Sequence, residues 1–140
     1  MKSFLASVAI AAALMLGASA VMIGTGFLRC PEAKMHPAYA ERLGRTEAHE
    51  TMITRAFSGR PGRSVATAYV RAAAAADAPA AAPYPVHRGL TRGMREDALK
   101  AGDAERMQLW AGQSAKLAQA RPAGEVCREM WKGTQRILAG

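Results

Sequence analysis

The sequence predicts an α/β unit, mostly helical with one principal strand, of the kind from which α/β barrels are built. Three observations carry this reading. Half of the 140 residues are apolar, yet aromatics are only 6% and alanine dominates, a composition that favours helix and a thin core. A helix-forming run near the N-terminus is followed by Gly17 and by the short apolar stretch Ala20-Val21-Met22-Ile23. Gly24-Thr25-Gly26 then interrupts that stretch, after which Phe27-Leu28-Arg29 can begin another helix.

The elements come in order. A helix is expected from about residue 4 to residue 16, stopped by Gly17. Residues 20–23 read as a short buried strand, the principal one of the chain. Residues 71–85 are an Ala/Pro stretch, expected to be a helix end running into an extended Pro83-Tyr84-Pro85 linker. A final helix should open near Pro122, which suits a first turn. Cys127, Met130, Trp131, Thr134 and Leu138 are expected on its covered face, with Glu125, Arg128, Glu129, Lys132 and Arg136 mostly elsewhere.

The first twenty residues also carry a competing pattern. Lys2 supplies a charged start, residues 4–16 an apolar run, and Ala18-Ser19-Ala20 a small-residue cleavage motif, as in a secretory signal peptide. The run is too short to span a bilayer as a helix. Taken alone, the three-part pattern favours export. Taken with the apolar stretch and glycine turn after it, the same run is the first helix of a helix–strand–turn–helix unit.

The formal charge is +8, which raises nucleic acid or an anionic membrane as a partner. The arginines are spread singly, without a dense run or interleaved aromatics, so a solvated surface is expected and a nucleic-acid partner is not. Cys30 and Cys127 lie far apart, and His36, His49 and His87 are scattered, so no zinc spacing is present. One disulfide would be available to an exported chain, but the count does not argue for it.

At four places the residues resemble one family. Residues 11–33, with Met22-Ile23-Gly24-Thr25-Gly26-Phe27-Leu28 at their centre, resemble the last barrel helix and last barrel strand of nitronate monooxygenases, formerly called 2-nitropropane dioxygenases. Thr54-Arg55-Ala56-Phe57-Ser58-Gly59-Arg60-Pro61-Gly62-Arg63 is similar to the family's Thr-Arg-Ala-Phe-Thr-Gly-Arg-Pro-Ala-Arg segment. Ala82-Pro83-Tyr84-Pro85 and Leu109-Trp110-Ala111-Gly112-Gln113 come next, in the family's order. Each is weak singly, and four in order over nearly the whole chain are strong together. The resemblance implies a C-terminal fragment of a TIM (β/α)8 barrel. Residues 1–36 would be the last helix, strand and phosphate turn, 37–82 helical segments with the Ala/Pro linker, and 83–140 a C-terminal helical cap.

The same resemblance implies FMN as cofactor, with Met22, Ile23, Gly24 and Thr25 matching the family's FMN-binding stretch. The physical warrant is that barrels of this type hold an anion in the loops after strands seven and eight, where unpaired N–H groups and the helix dipole favour negative charge. Gly24 and Gly26 let the backbone approach, and Thr25 can add a hydroxyl donor. The family usually has Gln where Met22 stands, which puts one polar contact in question. Against this stands the plain reading of a glycine turn after a buried strand. Trp110 and Gln113 are placed by resemblance near the flavin and substrate, as apolar wall and polar contact. Their plain reading is that Leu109 and Trp110 are core, Gly112 ends a helix and Gln113 is at the surface.

The family's histidine lies upstream of the matching stretch, and none of His36, His49 or His87 corresponds to it, so no catalytic residue is expected here. A Gly-Gly-Ile turn that precedes the helix in the family is replaced by Met1-Lys2-Ser3-Phe4. The expectation is therefore the C-terminal part of a cytoplasmic, FMN-dependent enzyme that oxidises alkyl nitronates with O2 to a carbonyl compound and nitrite. It would be incomplete and inactive alone, with three origins open: a truncated gene, a misplaced start, or one half of a split enzyme whose N-terminal half is separately encoded. Neither nucleic acid nor membrane is expected as a partner. The alternatives are a small exported basic helical protein without enzymatic activity, and an interaction module without chemistry.

Overall fold

The computed structural model describes residues 2–140. The chain forms two compact units, one built from the segment ending at Met35 together with Leu117–Gly140, the other from His36–Lys116.

The first unit is a helix pair. The N-terminal run forms α1 (Lys2–Met15), and Gly17, at φ 96°, ends it by donating its N–H to Leu14 O. The C-terminal segment forms α6 (Ala123–Ala139), which packs along α1. Pro122 stands one residue before α6 as its N-cap, and the Glu32 carboxylate accepts the Ala123 N–H at 2.9 Å, a negative charge at the positive end of the helix dipole. Ile10 from α1 and Val126 and Met130 from α6 close a small core with Cys30, flanked by Leu14, Ile23 and Phe27.

Two expectations are corrected here. Residues 20–23 do not form a strand: among the described residues they join no β-ladder. A strand exists only through a hydrogen-bonded neighbour, and none reaches this segment. The covered face of α6 is only partly the expected one: Met130 and Thr134 are covered as expected, and the other three are not. Val126, Met130 and Thr134 are buried, whereas Cys127, Trp131 and Leu138 are exposed. Helical geometry makes this a rotation of about 60°, toward Gly133, against which Ser7 of α1 packs.

The second unit holds α2 (Pro37–Arg45), β1 (Thr51–Thr54), β2 (Gly62–Val65), α3 (Ala68–Ala72), α4 (Val86–Leu90) and α5 (Arg92–Ala101). The strands pair antiparallel from Thr51↔Val65 to Thr54↔Gly62. Residues 109–111 run beside β2: Val65 N–H donates to Leu109 O and Ala111 N–H to Arg63 O, with a bridge between Ser64 and Trp110. Gly112 thus comes after an extended stretch and ends no helix. As expected, a helix ends inside the Ala/Pro stretch, α3 at Ala72. The expected extended Pro83-Tyr84-Pro85 linker is corrected, because the chain runs through turns over residues 73–78 and turns again at Tyr84-Pro85. There the peptide bond is cis and His87 N–H donates to Pro83 O, and α4 begins directly after it.

Candidate functional site

The glycine turn is held from behind and open in front. Gly24 precedes a single 3₁₀ turn, Thr25–Phe27, closed by Phe27 N–H to Gly24 O at 3.1 Å and Leu28 N–H to Thr25 O at 3.2 Å. Ile23 and Phe27 lean on the Ile10–Val126–Met130 core, which anchors the turn by apolar contact. Beyond it, Arg29 Nη1 donates to Ala118 O at 3.2 Å, and the Cys30 thiol sits against Gln119 O. Burial, with the Glu32 carboxylate beside it, raises the pKa of that thiol, so Cys30 is a packing residue rather than a reactive one. Arg29 Nε is buried without a partner.

The two glycines do different work. A Cβ on Gly26 would stand 2.9 Å from Ile23 Cγ2, so packing alone excludes a side chain there. Gly24 has φ −96° and ψ −69°, which any residue adopts, and no atom within 4 Å of a built Cβ. Neither conformation nor crowding within this chain requires glycine at 24. Met22 beside it is 98% exposed, and Thr25 is half-buried. The stretch therefore fits an anion approaching from outside: its backbone is accessible, its rear is fixed, and no acidic side chain lies in the turn.

Trp110 and Gln113 belong to the second unit. Trp110 is half-buried, and its ring stands edge-on to Phe57, with centroids 5.7 Å apart and planes at 80°. It also covers Gly62, where a Cβ would lie 2.9 Å from its Cζ3. Tyr39 Oη donates to Trp110 O at 2.6 Å, and burial pushes the Tyr39 pKa up to about 12. Leu109 is fully buried, and Gln113 is exposed. Both plain expectations for Leu109 and Gln113 hold, while Trp110 is a cover over the hairpin with one side turned outward.

The other family-like segment is held by local contacts. Thr54 Oγ1 accepts from Ala56 N–H, and Arg55 Nη1 donates to Gly59 O. Arg60 lies over the Tyr84 ring at 4.2 Å, a cation–π contact. Gly59 is at φ 81°, and a Cβ there would fall 2.3 Å from Ala82 O, so only glycine fits. His87 Nδ1 accepts the Ala82 N–H at 3.2 Å, and Nε2 lies 2.9 Å from Ala56 O. The ring is thus tied to backbone at both nitrogens. His36 Nδ1 caps α2 by accepting from Ala38 N–H. Sequence spacing showed neither role, because both depend on backbone groups brought close by turns.

Comparison with known proteins places the chain. The family described as nitronate monooxygenase matches residues 4–133. A nitronate monooxygenase of Pseudomonas aeruginosa is 40% identical over 86% of this chain and 34% of its own length. One from Paraburkholderia phytofirmans is 36% identical over 86% and 33%. Among solved structures, nitroalkane oxidase from Streptomyces ansochromogenes superposes with a TM-score of 0.84 at 35% identity, covering 93% of this chain and 37% of that one. FabK from Thermotoga maritima gives 0.74 at 27% identity, covering 95% and 42%. The chain spans about a third of the length of the curated relatives it matches. The match begins at residue 4 and so takes in the apolar run of α1.

Proposed function

The chain belongs to the nitronate monooxygenase family, and we propose that it supplies the phosphate turn of an FMN-dependent enzyme that oxidises alkyl nitronates with O2 to a carbonyl compound and nitrite. The flavin, when bound, supplies the electron chemistry. The protein's part is to hold and orient it. The observation that carries the reading is Gly24, a glycine that its own fold does not require, on an anchored turn in the stretch that the resemblance matches to the family's FMN-binding residues. Met22, Ile23, Gly24 and Thr25 would hold the phosphate through backbone N–H groups and the Thr25 hydroxyl. Trp110 and Gln113, as wall and polar contact for flavin or substrate, rest on family resemblance.

Alone, the chain is proposed to be inactive. His36 and His87 are occupied as a helix cap and a loop tie. A phosphate on such a turn gains about 1.5–3 kcal/mol per charged hydrogen bond, against several kcal/mol of lost translational freedom. Titrating FMN with the chain alone and monitoring flavin fluorescence should give a Kd of about millimolar or weaker. Micromolar binding, or nitrite released from propyl-2-nitronate without a partner, overturns this reading.

A cytoplasmic location is part of the proposal. Its support is that Ser7, Ile10 and Ala11 of α1 are buried, so cleavage after residue 20 would strip the cover from α6. N-terminal sequencing and peptide mapping of protein from its host should find residues 3–20 retained, and a mature chain starting at Val21 would favour the exported alternative.

A further inference from the structure

The second unit carries a groove that neither Trp110 nor Gln113 lines. Its volume is about 770 Å³, within the range of roughly 300–1,000 Å³ usual for small-molecule sites. Ile53 of β1, Leu90 of α4 and the alanine side chains of the segment 73–82 supply most of its surface. Ile53 and Leu90 are 63% and 72% exposed, so this apolar surface is open to solvent. The segment 73–82 is held where it passes the hairpin: Ala82 O would lie 2.3 Å from a Cβ on Gly59, and Ala82 N–H donates to His87 Nδ1 at 3.2 Å.

Thr54, Arg55, Tyr69 and His87 are the polar side chains of the lining, and all but Arg55 are committed to backbone. Thr54 Oγ1 accepts the Ala56 N–H and Tyr69 Oη donates to Ala56 O, each at 3.0 Å. The second His87 nitrogen, Nε2, lies 2.9 Å from the same carbonyl. Arg55 Nη1 donates to Gly59 O at 3.0 Å, which leaves most of the guanidinium N–H donors free. Among the described residues no carboxylate pairs with Arg55. No acidic side chain lines the groove, and Asp77 of the segment 73–82 is not part of the lining.

We propose that this groove is a binding site for small monocarboxylates with a linear alkyl chain, the chain lying against the alanine side chains and the carboxylate at Arg55. Charge and surface chemistry choose that occupant. A guanidinium without an ionic partner offers its donors in the planar fork that a carboxylate accepts. The other lining side chains keep no free polar group, so a sugar or a nucleobase would leave its own polar atoms unpaired. An alkylammonium of the same length would meet the Arg55 charge instead of a counter-ion. Alanine methyls form a smooth apolar wall without a pocket for a branch, which suits an unbranched chain. The site lies wholly in the second unit and does not involve the glycine turn, so it stands or falls apart from the flavin reading.

The test is isothermal titration of the full 140-residue chain with octanoate, hexanoate, 1-octanol and octylammonium. Octanoate should bind one-to-one with a Kd below about 1 mM. Hexanoate should bind about two- to fourfold more weakly for each methylene removed, and 1-octanol and octylammonium at least tenfold more weakly than octanoate. Arg55→Gln, which keeps a donor for Gly59 O, should weaken octanoate at least tenfold. Ile53→Asp, which sets a carboxylate among the apolar lining at an exposed position, should do the same, with circular dichroism unchanged. Leu138→Asp, exposed on α6, should leave binding intact. Should Arg55→Gln unfold the chain, Ile53→Asp and the weak binding of 1-octanol decide together. Absence of saturable octanoate binding, equal binding of 1-octanol or octylammonium, or indifference to Ile53→Asp or to a folded Arg55→Gln overturns the proposal. So does binding lost in Leu138→Asp, which would place the site in the first unit.

Discussion

Ser7 and Gly133 meet where α1 crosses α6, so closely that a Cβ on Gly133 would stand 2.3 Å from Ser7 Oγ and 2.9 Å from its Cβ. Ser7 Oγ lies 2.9 Å from both Ser3 O and Met130 O, and Thr134 Oγ1 lies 3.3 Å from Ser7 O. A small residue thus permits the approach, and hydroxyls satisfy carbonyls exposed by it.

Gly133→Ala should therefore destabilise the chain by about 1–3 kcal/mol through overpacking. Ser7→Ala should relieve that only in part, because the Ser7 Cβ is itself too near. Urea unfolding of the two single variants and the double variant checks this, and full rescue by Ser7→Ala would show that the Oγ contact alone limits the approach and the Cβ contact does not.

In the second unit Phe57 is fully buried, with Tyr69 tilted against it at 5.3 Å and Trp110 edge-on. Phe57→Ala should cost about 3–5 kcal/mol. The emission of Trp110 should shift to the red as water reaches the ring, while Phe57→Leu should cost clearly less.

Tyr39 makes stability depend on alkaline pH. Its folded pKa is about 12 against 10.0 for the free group, because burial disfavours the phenolate. The neutral phenol is the form the fold holds, so its contribution is complete below pH 10 and is lost as pH rises from 10 through 12. Thermal unfolding measured between pH 8 and 12 should show that decline. Tyr39→Phe should flatten this part of the profile and, at pH 7, cost about 1 kcal/mol for the hydrogen bond to Trp110 O.

Gly24 and Met22 separate ligand effects from folding effects. With the complementary portion of the fold present, Gly24→Val should abolish FMN binding by blocking approach to the backbone. It should leave the melting temperature of the chain unchanged, since nothing lies within 4 Å of the added Cβ. Met22→Gln, at an exposed position, should strengthen FMN binding by restoring a polar contact. Loss of stability in Gly24→Val, or FMN binding equal to wild type, would return the turn to a purely structural role.

Composition and local spacing by themselves determined the helical character, the extent of α1, the stop at Gly17 and the glycine turn after it, because each depends on neighbours within a few residues. Ordered motifs in one chain likewise sufficed for the family. Tertiary structure alone decided the rest. Residues 20–23 have strand composition but no strand, because a ladder needs a partner that local sequence cannot supply. The covered side of α6 turned toward Val126 and Gly133 because α1, more than a hundred residues away in sequence, packs there through Ser7. The two glycines of the turn look alike in sequence, and only packing distinguishes Gly26, crowded by Ile23, from Gly24, which faces open space.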